Sequence, residues 1–238
     1  MTTNFWLYAG LTFITAFIGG ILPVFFSFKE RYLRIIVSLG AGLLLGMSLN
    51  HMLPEAAELI PEEFGAFFLI GFVLLMLLER FVMIHSCEEH GCDYHTIGIA
   101  AFAGLAVHAV IEGLALASTL VALDIGPLIL LAVLVHKAPA ALTLTSLLKL
   151  GGKSKPQIVK FITGIALATP AGMLLASNFF THELVGRTAG ILLSLSGGTF
   201  LYIASCDLIP ELHRSNLDKY PRLFAFLVGL AVSFLELH

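Results

Sequence analysis

The chain reads as eight apolar stretches divided by short polar segments. They run approximately 5–28, 33–58, 64–84, 97–121, 126–148, 157–180, 187–212 and 221–237. Each is near the ~20 residues that a helix needs to cross a hydrocarbon core. A backbone in lipid must satisfy its own hydrogen bonds, so stretches of this length are expected to be helices. The polar breaks include KERYLR after the first stretch, IPEE after the second, HSCEEHGCDYH after the third and KLGGKSKP after the fifth. The pattern predicts an all-α polytopic membrane protein. Residues 1–238 form one transmembrane domain, and residues 85–96 form a His/Cys-rich loop within it.

Composition agrees. The chain is 58% hydrophobic and 12% charged, whereas a soluble domain carries about 25% charged residues. The net charge of −3 lies in the loops, and no basic block suits nucleic acid. MTTNFWLYAG lacks the positive lead of a signal peptide, so the first span is expected to be retained. Lys29, Arg31, Arg34, Arg80, Lys149, Lys153, Lys155, Lys160, Arg214, Lys219 and Arg222 all fall beside odd-numbered loops, against Arg187 alone beside an even-numbered one. The positive-inside bias therefore makes the odd loops cytoplasmic and puts both termini on the extracytoplasmic side, with the plasma membrane as the expected location.

An internal echo links spans two and seven. HMLPE runs from His51 to Glu55, and DLIPE from Asp207 to Glu211. The two spans cross in opposite senses, as an inverted repeat requires, with spans 1–3 echoing 6–8 around spans 4 and 5. Chance recurrence is the plainer alternative for so short a match. Pro54, Pro139, Pro170 and Pro210 each free a carbonyl one turn back, which can line a cavity.

The candidate chemistry lies mid-span. HAVIEG, from His108 to Gly113, occupies span four, and HKAPAA, from His136 to Ala141, occupies span five. Ionisable side chains are costly in lipid, about 2.5–3.5 kcal/mol for a central lysine, and usually mark a site or a pathway. His108 and Glu112 are four residues apart and share a helix face. With His136 opposite, two imidazoles and a carboxylate suit a transition metal such as zinc. Helix–helix hydrogen bonding is the plainer role for either histidine, and a Glu112–Lys137 ion pair is compatible with both readings. His51, Glu55, Asp207 and Glu211 read as stations along a route, as interfacial charges or as proton-coupling groups. Cys206 reads as a small packing residue.

The loop after span three holds His85, Cys87, His90, Cys92 and His95 beside Glu88, Glu89 and Asp93. Facing the cytoplasm its thiols stay reduced, which disfavours a disulfide. Thiolates with imidazoles favour zinc or copper(I), so the loop is expected to receive or sense metal. A merely solvated turn is the alternative, because the C-x4-C spacing is not a tight zinc motif.

These motifs resemble the ZIP (ZRT/IRT-like) metal transporter family over nearly the whole chain. HAVIEGLALAS resembles the family's H-x-x-x-E/D-G helix. HKAPAALTLTSLL resembles an H-K-A-P-A-A variant of its H-E/D-x-P-x-E helix. SLNHMLPEA and GGTFLYIASCDLIPEL resemble its pathway helices. The resemblance implies eight helices with inverted repeats, a metal site of His108, Glu112 and His136, and movement of divalent metal toward the cytosol. Where many members hold two adjacent metals, this chain departs. Ala109 replaces a common Asn, Lys137 a common acid or amide, Ala140 a second bridging Glu, and Thr169 a Glu found in some members. One metal is therefore expected, with Lys137 as the electrostatic substitute for the second.

The function expected is transport of zinc first, with iron, manganese and cadmium as alternative cargo, and no enzymatic activity. The rival reading is a membrane-embedded zinc hydrolase. A metalloprotease would want H-E-x-x-H, which the chain lacks. Expected partners are the metal ions and the bilayer, with a homodimer as a candidate assembly.

Overall fold

The structure is a computed structural model that describes residues 3–26, 28–83, 93–119, 126–176, 185–213 and 218–234. These residues form eight helical rods. α1 is Thr3–Phe25. α2 runs Glu30–Met47, passes through a π turn at Ser48–Met52 and ends as Leu53–Leu59. α3 is Phe64–Met83, α4 Asp93–Thr119, α5 Gly126–Leu150 and α6 Lys155–Ala176. α7 runs Val185–Tyr202, passes through a π turn at Ile203–Leu208 and ends as Ile209–His213, and α8 is Lys219–Val232. Seven are long and apolar enough to cross a membrane. The last, α8, has 14 described residues.

The expected loop 85–96 ends sooner than its polarity suggests. α4 already begins at Asp93, four residues ahead of the predicted span.

The two π turns have a sequence cause. Proline cannot donate to the carbonyl four residues back, and its ring crowds that carbonyl. Pro54 and Pro210 stand just beyond the two wide turns, at equivalent places in α2 and α7. The echoed HMLPE and DLIPE segments thus share a backbone irregularity as well as residues.

The helices form two bundles. In one, α1 packs on α5 and α6, and α4 packs on α6 and α5. In the other, α2 packs on α8, α3 on α7, and the C-terminal half of α2 on α7. They meet chiefly where α2 touches α5 and α4 touches α7. Exchanging α1 with α6, α2 with α7, α3 with α8 and α4 with α5 maps these pairings onto one another.

Close glycine contacts fix the register of that exchange. A Cβ on Gly42 would strike the backbone of Phe226 and Leu230 in α8, and one on Gly198 would strike that of Phe68 and Phe72 in α3. The carbonyl oxygen of the first residue and the amide nitrogen of the second are the atoms met in both cases. In the other bundle Gly19 packs against the backbone of Ala138, and Gly172 against that of Val110. The repeat therefore aligns His108 with His136, Ala109 with Lys137, and Glu112 with Ala140.

Candidate metal centre

His108 and Glu112 lie one turn apart on α4, and His136 faces them from α5. All three are buried, and one ligand atom from each lies within 4.8 Å of the others. No other group of three such residues approaches this closely among the described residues. Helical spacing accounts for the first pair. The α4–α5 contact brings the third.

The carboxylate of Glu112 is held from both sides. Its Oε1 is 2.9 Å from Nε2 of His136, and its Oε2 accepts a hydrogen bond from Lys137 Nζ. Lys137 also donates to Thr169 Oγ1 at 2.6 Å. The Thr169 hydroxyl lies 2.9 Å from Glu112 Oε2 and 3.0 Å from the Ala109 carbonyl, the two acceptors available to its one hydrogen. A buried ion pair is tolerable only when its remaining polar atoms are satisfied, and here α5 and α6 satisfy them. Lys137 thus binds the carboxylate edge that faces away from His136.

The two imidazoles are posed differently. Nδ1 of His136 is 2.9 Å from the Ala132 carbonyl on its own helix. A carbonyl only accepts, so Nδ1 carries a hydrogen and Nε2 is turned toward Glu112 Oε1. A cation bound between them would take the lone pair of Nε2, because ligand nitrogens must present one. His108 instead bonds to Ser196 through Nδ1, at 2.7 Å. Its ring stacks on Phe200, with centroids 3.5 Å apart and planes at 20°. The His136 ring meets Phe200 edge-on at 5.4 Å. His108 Nε2 is buried with no hydrogen-bond partner among the described residues. A buried polar atom left unpaired is costly and calls for an explanation. A bound cation would supply one.

A cavity of about 520 Å³ reaches this centre. It runs from Glu112, His136 and Ser196 to Glu58 and Leu59, beside the α2–α3 turn, and His51 and Glu55 line it. On the other side the space among His108, Lys137, Ala140 and Phe200 narrows to about 20 Å³. Among the described residues, the larger cavity connects the centre to the α2–α3 turn.

The structure divides the four candidate route residues. His51 donates through Nε2 to the Ser233 carbonyl at 3.0 Å while lining the cavity with Glu55. Asp207 and Glu211 are buried beyond the centre, toward the opposite face. Glu211 offers its carbonyl to Arg222 Nη1 at 3.0 Å. Asp207 and Tyr202 both lie within electrostatic range of Glu79 of α3. Ser196 and Glu79 carry no motif signal, and Phe200 falls within GGTFLYIASCDLIPEL without being singled out; such residues on apolar helices are unremarkable until packing aims them. His85, Cys87, His90 and Cys92 lie outside the described residues, as does the side chain of His95, on the first turn of α4.

Comparison with known proteins points one way. The family model described as ZIP zinc transporter matches residues 84–235. Zinc transporter ZIP9-A of Xenopus laevis is 27% identical over 251 residues, covering 83% of this chain and 81% of the relative. Zinc transporter ZIP9 of Xenopus tropicalis is 27% identical over 265 residues, covering 89% and 86%. An uncharacterised protein of Methanocaldococcus jannaschii is 25% identical over 235 residues, covering 96% and 94%.

Proposed function

Because the chain belongs to the ZIP zinc transporter family, we propose that it carries zinc through a mononuclear site between α4 and α5, formed by His108, Glu112 and His136. Its activity is transport rather than hydrolysis. The observation that carries this reading is the buried trio itself, with His108 Nε2 unpaired beside it. Three protein ligands and an open position suit an ion that must also leave.

Zinc enters through the cavity past Glu58, Glu55 and His51. The basic residues that flank the opposite face support an extracytoplasmic mouth, both termini outside, and net movement toward the cytosol. Asp207 and Glu211 lie on the onward side, where the repeat matches them to His51 and Glu55. Alternating access by displacement of one bundle against the other fits the inverted repeat. The HKAPAA form of α5 excludes a second ion, because Ala140 provides no carboxylate and Lys137 occupies Glu112 Oε2. Iron(II), manganese and cadmium suit the same ligands and compete with zinc. The loop 85–95 receives metal on the cytosolic side, and the plasma membrane is the setting.

Zinc flux into proteoliposomes of purified protein tests the reading. His108→Ala is expected to remove saturable flux while the protein stays monodisperse. Full flux in that variant would take His108 out of the site.

A further inference from the structure

His108 is the ligand whose pose is set from outside its own bundle. Lys137 and Thr169 hold Glu112 from α5 and α6, and Ala132 holds His136 from the same helix. Ser196 and Phe200, which hold His108, stand on α7 in the other bundle. We propose that Ser196 and Phe200 form a dock that makes the metal affinity of His108 depend on how the two bundles are arranged. This rests on the reading of His108 as a metal ligand. When docked, Nδ1–H of His108 donates to Ser196 Oγ, Nε2 presents its lone pair to the cation, and Phe200 fixes the ring plane. When α4 shifts along α7, both restraints are lost together and the cation is released.

Burial makes the dock specific. Phe200 is fully buried, and Ser196, at the inner end of the cavity, is only 3% exposed, so protein supplies both restraints in the docked state. The acceptor on the second nitrogen of a ligating histidine fixes its tautomer and raises its basicity, and losing such a partner costs 10–100-fold in affinity.

The inverted repeat makes the dock one-sided. The register set by Gly42 and Gly198 places Gly40 of α2 where α7 has Ser196, and Leu44 where α7 has Phe200. Glycine has no hydroxyl to offer, so α2 has no counterpart of the dock for His136. His136 meets α7 through the edge of Phe200 alone, whereas His108 takes both a hydrogen bond and a stacked ring from it.

The test separates affinity from turnover in zinc flux, with zinc-competition titration of the purified protein alongside. Ser196→Ala is expected to raise KM and the zinc Kd by about 10–100-fold and to keep or raise the maximal rate, because release is easier. Ser196→Thr, which keeps the hydroxyl, is expected to restore the wild-type KM. Phe200→Leu, which gives α7 the residue α2 carries, is expected to raise KM in the same direction and tests the dock even if Ser196→Ala does not fold. Unchanged KM in folded Ser196→Ala or Phe200→Leu overturns the proposal, as does a fall in maximal rate that Ser196→Thr fails to restore. His108→Ala is run beside them. If it is inactive while Ser196→Ala is normal, the dock fails and the metal site stands. If it retains full flux, the ligand assignment itself has failed.

Discussion

Lys137 donates to Oε2 of Glu112 while His136 faces Oε1 of the same carboxylate. The only carboxylate among the three candidate ligands is thus neutralised on one edge by a cation that cannot leave. Glu112 can offer the other edge to a divalent ion without bridging to a second.

Removing Lys137 strips a buried carboxylate of its counterion. Truncating one partner of a buried pair costs about 3–5 kcal/mol. Lys137→Met is therefore expected to lower the melting temperature of the metal-free protein markedly. Bound zinc supplies the missing charge, so the zinc-induced rise in melting temperature is expected to exceed that of the wild type. An equal rise in both proteins would show that Lys137 does not stand in for a cation.

One metal is expected at the centre, because the repeat pairs Glu112 with Ala140 and Ala109 with Lys137. Anomalous diffraction from zinc-soaked crystals should show a single peak among His108, Glu112 and His136. Lys137→Asp with Ala140→Glu should permit a second peak nearby. Two adjacent metals in the wild type would refute the mononuclear reading.

The loop 85–95 is expected to bind metal without being required for passage. Replacing His85, Cys87, His90, Cys92 and His95 together should lower zinc stoichiometry by at least one and change the flux rate modestly, leaving the central site occupied. Unchanged stoichiometry would return the loop to a solvated turn. Complete loss of flux in folded protein would make it part of the obligatory route.

Gly42 and Gly198 occupy matching helix crossings, where an added Cβ meets backbone that cannot rotate away. Overpacking of this kind costs about 1–3 kcal/mol. Gly42→Ala and Gly198→Ala are each expected to destabilise by similar amounts in thermal melts. Gly10→Ala, where a Cβ meets nothing within 4 Å, serves as the control and should be neutral or stabilising. A large difference between the first two variants would argue that the crossings are not equivalent.

The amino-acid sequence by itself determined seven spans, their helical state and the residue types of the candidate centre. Lipid demands internally bonded backbone, so apolar length translates directly into helices. The spacing of His108 and Glu112 also needed no tertiary information, because four residues make one helix face. His51 and Glu55 announced the repeat through a five-residue echo with Asp207 and Glu211. Its register did not follow from that echo. It emerged from backbone contacts at Gly42, Gly198, Gly19 and Gly172, between helices far apart in the chain.

Tertiary structure also decided which neighbours complete the centre. Thr169 was recognisable only as a departure from a pattern, and packing of α6 on α4 turned it into a partner for Lys137 and Glu112. Ser196 lies 88 residues from His108 along the chain and Phe200 one helical turn further on, on a helix whose apolar face gives no hint of its target. Periodicity reports which side of a helix is buried, but not which side chain it meets. That depends on the crossing of α4 with α7, and the same crossing holds His108 against a bundle other than its own.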